Sequence, residues 1–168
     1  MVYSVSDALE LARNNPHRQV VFFAIGFETT TPPTALGLLT AQREGLENFS
    51  VFCNHVLTPA AMGAILNVDE AAHERVEIDG FIGPSHVSVV IGSDAYRFCA
   101  AQHRKPVVIA GFEPLDVLQS LLMLVRQINE GRADIENQYR RAVTPEGNAK
   151  AQAVMARVFE RRPSFEWR

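Results

Sequence analysis

Val20-Val-Phe-Phe-Ala-Ile-Gly26-Phe27-Glu28-Thr29-Thr30-Thr31-Pro32-Pro33 decides the fold. Six unbroken apolar residues, rich in β-branched and aromatic types, predict a strand buried on both faces. A glycine ends the strand, one acidic residue follows, and Thr30 or Thr31 can cap a helix that opens at Pro32-Pro33, where proline loses no needed N–H. Glu28 then stands at the carboxyl end of a parallel strand, the edge at which open α/β sheets collect their ligands. Gly111-Phe112-Glu113-Pro114 repeats the device 85 positions later, after the run Pro106-Val-Val-Ile-Ala110. Gly83-Pro84-Ser85-His86 is a third variation, after a strand at 80–82, with Ser85 as the cap of the next helix.

Outward from these turns, the pattern alternates between strand and helix. Helices are expected over 4–13, 33–44, 60–66 and 94–102, with a short polar one over 69–76. Thr58-Pro59 repeats the Thr-Pro helix start, Phe49-Ser-Val-Phe-Cys53 is a second strand, and Gly45 closes the helix before it. The apolar residues Val117, Leu118, Leu121, Leu122, Leu124, Val125 and Ile128 form the strongest helical stripe, which reads as core-forming. Residues 132–141 are polar, with Arg140-Arg141 a solvated face, and 145–159 form an alanine-rich amphipathic helix. Such alternation implies a mainly parallel central sheet of four or five strands with helices on both faces.

Composition narrows the function. The 168 residues suit one domain, able to bury about 70% of its unfolded surface. A net charge of −3 leaves no basic footprint for nucleic acid, and no apolar run reaches bilayer length. The first residues lack the pattern of a secretory signal, and two cysteines, Cys53 and Cys99, are too few for a disulfide scaffold, so a reducing cytoplasm is expected. The G-x-G-x-x-G and G-x-x-x-x-G-K-[ST] fingerprints are absent. Both cysteines read as small hydrophobes, and His17, His73 and His103 as surface residues.

Glu28 and Glu113 can act as paired carboxylates with His86 as acid, base or ligand between them, and the helix starts nearby suit an anion. Asp116 can cap its helix or extend the acidic cluster, and His55 has the same post-strand position as His86. The bland alternative is that each acid only steadies a helix start, by about 0.3–1 kcal/mol. Glu28 and His86, read as members of a loop edge, are expected to tolerate alanine without loss of fold.

Gly26-Phe-Glu-Thr-Thr30-x-Pro32, Gly83-Pro-x-His-Val-Ser88-x-x-x-Gly92 and Ala110-Gly-Phe-Glu-Pro114-x-Asp116, in this order, resemble the signature set of the HypD family, scaffold proteins of [NiFe]-hydrogenase maturation. Thr58-Pro59 after Asn54-His55 is similar to the family too. The resemblance implies a Rossmann-like three-layer sandwich over 1–140, like the family's second domain, and a C-terminal helix and tail over 141–168 leading toward another domain. It implies a scaffold on which an Fe(CN)2CO unit is assembled with a HypC chaperone and a HypE cyano donor. Glu28, Thr29, Thr30, His55, His86, Ser88, Glu113 and Asp116 then belong to a cleft that meets the intermediate or a partner. The family's C-G-P-G-C-P-V-C and C-G-x-H motifs and its cysteine-rich [4Fe-4S] segment do not occur here. The chain therefore reads as a middle fragment with no metal of its own and no turnover alone, able to dimerise through exposed apolar surface. The reading independent of the resemblance is a small-molecule or anion-binding α/β enzyme using Glu28, His86 and Glu113.

Overall fold

The computed structural model describes residues 2–67 and 77–162. The helix expected over 69–76, His73 and the terminal Trp167-Arg168 lie outside them. The chain is mixed α/β, and every described strand pairing is parallel. The alternation implies one central sheet, whereas the strands form two, one of two strands and one of three. They belong to two compact units: the first combines 1–55 with 150–168, and the second is 56–149.

In the first unit, helix α1 (Val5–Asn14) is opened by a capping box. Ser4 Oγ accepts from the Asp7 N–H at 3.2 Å, and the Asp7 carboxylate accepts from the Ser4 N–H at 3.1 Å. Strand β1 (Val20–Gly26) pairs in register with β2 (Phe49–His55), from Val20 against Phe49 to Gly26 against His55. Helix α2 (Thr31–Glu44) connects them and closes at Gly45 as expected. Val5, Ala8, Leu9, Ala12, Ala41 and Phe49 form the core on one sheet face, with Val20, Phe22 and Val51 packed against it. The other face corrects the expectation of a strand buried on both sides. Val21, Phe23, Ile25 and Phe52 are each more than half exposed, and the Phe23 and Phe52 rings lie 5.6 Å apart there. A continuous apolar run states that both faces favour burial, not that both find a neighbour within these residues.

The second unit holds α3 (Thr58–Leu66), β3 (Phe81–Pro84), α4 (Ser85–Ile91), a 3₁₀ turn (Ser93–Tyr96), α5 (Arg97–His103), β4 (Val107–Ala110), α6 (Pro114–Asn129) and β5 (Ile135–Asn137). Strand β4 is central, between β3 and β5, and all four of its residues are buried. Val107 and Ile109 meet Met62, Tyr96, Cys99 and Val143 in the core, each large side chain there contributing about 1.5–3 kcal/mol. The stretch after Gly131 reads only as polar, and β5 forms in it. Its residues are only half-buried, and Arg132 spans Glu130 and Asp134 at 2.7 and 2.6 Å on the rim, the charged dress of an edge strand. The last helix, α7 (Ala149–Val158), is shorter than the span 145–159.

Three caps differ from expectation. Thr30 occupies the position before α2 but makes no capping bond, Leu57 rather than Thr58 precedes α3, and Pro84 rather than Ser85 precedes α4. The stripe on α6 also departs from its reading as core. Leu124 alone of its members is buried, while Val117, Leu118, Leu121, Leu122, Val125 and Ile128 are exposed.

Candidate functional site

The ends of β1 and β2 build one edge. Gly26 has φ of 141°, and a Cβ there would collide with Thr30 Oγ1, so this turn requires glycine. The Phe27 carbonyl then accepts three bonds, from the Thr30 N–H at 3.1 Å and from the Thr30 and Thr31 hydroxyls at 3.0 Å each. The threonines thus tie the turn backward instead of capping α2 forward. Thr29 and Thr30 remain exposed. Glu28 does not: it is 2% exposed and engaged, so it is not a free wall group.

His55 ends β2 opposite Gly26 and is half-buried. Its Nδ1 lies 3.7 Å from Cys53 Sγ, and Phe159 meets its ring edge-on at 5.8 Å. Burial lowers the imidazole pKa below its ordinary 6.5, which favours the neutral ring at pH 7. Cys53 is exposed, against the expectation of a buried strand end, whereas Cys99 is buried and its thiol is pushed up to about 11 by desolvation. His17 is exposed as expected, and His103 is half-buried with its ring edge-on to Phe98.

The second edge is built where Pro84 of β3 pairs with Ala110 of β4. His86 is exposed there, and its ring packs on Phe112 with centroids 4.7 Å apart. Ser88 is fully buried, its hydroxyl donating to the Pro84 carbonyl and lying 3.3 Å from the Tyr96 hydroxyl. It therefore braces the edge from inside. Glu113 is exposed, with Oε1 3.7 Å from Arg141 Nη2.

Asp116 is held by two side chains. Arg141 donates to both of its oxygens, Nη1 to Oδ1 at 2.9 Å and Nη2 to Oδ2, and Gln138 Nε2 donates to Oδ1 at 2.8 Å. Gln138 Oε1 in turn accepts from the Gly111 N–H at 3.2 Å, and the Arg141 guanidinium lies 4.4 Å over the Tyr139 ring. A Cβ on Gly111 would collide with Asp116 Oδ2 and stand 2.8 Å from Tyr139 Cδ2, which is why glycine begins this turn. The sequence reading missed Gln138, Tyr139 and Arg141, treating Arg141 as solvated. No local spacing links 116 to 141; only the unexpected strand β5 brings them together.

The Arg141 bonds, and then the Gln138 bond, hold the Asp116 carboxyl down at about 2, below its ordinary 3.8. A depressed folded-state pKa contributes stability in full above the unfolded value and loses it as pH falls through the folded one. Unfolding free energy measured in urea is therefore expected to drop between about pH 4 and pH 2, and Asp116→Asn to flatten that slope. An unchanged slope would place the acid sensitivity elsewhere.

Each unit thus has its own set of candidate residues: Thr29, Thr30 and His55, exposed or partly so, with buried Glu28 in the first, and exposed His86 and Glu113 with buried Ser88 and Asp116 in the second. A hollow of about 390 Å³ in the first unit, lined by Leu36, Leu39, Thr40, Gln42, Arg43 and Arg157, includes none of them. Among the described residues, no group of three or more His, Cys, Asp or Glu side chains is placed to hold one metal ion. No described helix is long and apolar enough to cross a membrane.

A family model for HypD, described as the hydrogenase formation hypA family, matches residues 1–168. The chain belongs to the HypD family. It is similar to the hydrogenase maturation factor HypD of Azotobacter vinelandii, with 68% identity over 168 residues, all of this chain and 44% of that protein. The HypD of Rhizobium leguminosarum bv. viciae is 63% identical over 169 residues, and that of Escherichia coli K12 46% over 168, again covering all of this chain and 44% of each protein. The chain thus spans less than half the length of these HypD relatives. The motifs that carry the resemblance to the family lie at the two edges: Gly26–Thr30 at one, His86–Ser88 and Gly111–Asp116 at the other.

Proposed function

We propose that these residues serve hydrogenase maturation as the α/β portion of a longer HypD-type protein. The observation that carries this is the family match along the whole chain, with its signature residues gathered at strand ends. In this reading the Fe(CN)2CO unit is cargo, assembled with a HypC-like chaperone and a HypE-like cyano donor in the cytoplasm. The [4Fe-4S] cluster of the full protein lies outside this segment. Glu28, Ser88 and Asp116 stiffen the edges, while Thr29, Thr30, His55, His86 and Glu113 face the cargo or a partner. Hydroxyl and imidazole N–H groups are donors suited to cyanide nitrogen, and Glu113 beside Arg141 offers a charged pair to a protein surface.

The reading as an acid–base enzyme relies on Glu28 and Glu113 as reactive carboxylates. The burial of Glu28 and the Arg141 neighbour of Glu113 weigh against it.

The test uses the full-length Azotobacter vinelandii HypD in cells lacking that protein, with the positions aligned to His86 and Glu113 changed to Ala and Gln. Hydrogenase activity is expected to fall at least about tenfold, a loss of about 1.4 kcal/mol or more in transition-state or binding terms, while His17→Ala leaves it unchanged. Full activity in both variants would remove these residues from the site. Turnover of a phosphorylated or carboxylated metabolite by the purified 168-residue chain would favour the enzyme reading instead.

A further inference from the structure

Helix α6 is inverted. Its inward face is mostly polar: Asp116, Ser120, Leu124 and Gln127 are the buried residues, four, four and three positions apart. Ser120 Oγ on that face donates to the Asp116 carbonyl at 2.7 Å and Gln127 Oε1 accepts from the Asp134 N–H at 2.7 Å, while Gln127 Nε2 is buried without a partner. Its outward face is apolar. Leu115 is 77% and Leu118 62% exposed, Leu122 and Val125 are about half exposed, and Leu121 and Ile128 widen the strip. An isolated surface helix places these faces the other way round.

We propose that this outward face docks a second amphipathic helix, contributed by the part of the HypD-type protein that lies outside these 168 residues. Leu115, Leu118, Leu122 and Val125 follow steps of three, four and three, the seam into which another helix inserts its own apolar side chains. A strip of this size left in water is a liability, so it implies a partner surface. The relatives supply that partner by length, since this chain accounts for 44% of the Azotobacter vinelandii protein and the rest is tethered to it at high effective concentration. A second copy is the poorer occupant. A parallel pair sets Arg126 against Arg126, and an antiparallel pair centred between Leu121 and Leu122 sets Glu113 opposite Glu130, so neither orientation gains complementary charge. The inference rests on the chain being part of a longer HypD-type protein, but not on any role of that protein toward iron.

The test places Leu118→Glu with Leu122→Glu in the 168-residue chain and, at the aligned positions, in the full-length Azotobacter vinelandii protein. Thermal unfolding and light-scattering mass are read for both. The short chain is expected to keep its midpoint and remain monomeric, and the long protein to lose about 5 °C or more. A photo-crosslinker at position 118 of the long protein is expected to label a segment outside the matched span. An equal loss in the short chain would show the face already internal. No loss in the long protein, or labelling only within the matched span, would show that nothing there covers it. A dimer of the short chain dissolved by the substitutions would assign the face to a second copy. Each of these three results overturns the proposal. None depends on hydrogenase activity, so the maturation role can stand if the docking fails, and the reverse.

Discussion

Gly111→Val is expected to lower the unfolding free energy by about 3 kcal/mol, at the upper end of what overpacking costs. The added side chain has nowhere to go: Asp116 Oδ2 and Tyr139 Cδ2 already occupy the space beside this glycine. Relief requires Asp116 to leave Arg141 and Gln138, so the steric cost and the lost bonds are coupled. Urea unfolding of Gly111→Val, Asp116→Ala and the double variant measures that coupling. The double variant should be less destabilised than the sum of the singles, because removing the carboxylate opens room for the valine. Additive losses would mean that the two residues act independently and that the turn relaxes by another route.

Glu28→Ala is expected to cost about 2 kcal/mol, the penalty of withdrawing an engaged, buried polar group from its neighbours. His86→Ala, at an exposed position whose main contact is the Phe112 ring, should stay within about 0.5 kcal/mol. The pair separates two residue types that look alike in the sequence, both polar and both just after a strand. Chemical denaturation of the two variants reads the difference directly. Equal effects would show that burial at the first turn is not what distinguishes Glu28.

The periodicity of strands and helices was legible because the runs at 20–25, 80–82 and 107–110 are short, apolar and each followed by glycine. Burial was less so. The run 20–25 is apolar on both sides, but only the side toward α1 and α2 is covered, and the strip on α6 faces outward for the same reason. Hydrophobicity reports a preference for cover without naming who provides it. The candidate residues were found by position after strands, which is a local signal. Their division into inner braces such as Ser88 and Asp116 and outer groups such as His86 and Glu113 was hidden, since it depends on Tyr96, Gln138 and Arg141. Strand β5, too polar to announce itself, is what delivers the last two.

The order of the two units along the chain bears on synthesis. The second unit is one continuous stretch, 56–149, whereas the first needs both 1–55 and 150–168. A ribosome therefore releases β1 and β2 early, but Phe159, the ring that closes on His55, only after the whole second unit has emerged. At usual elongation rates that is a wait of about 5–20 s, during which the first unit lacks its C-terminal portion. The second unit can finish folding within that interval, and the first, although it leads the sequence, can only be the last to close.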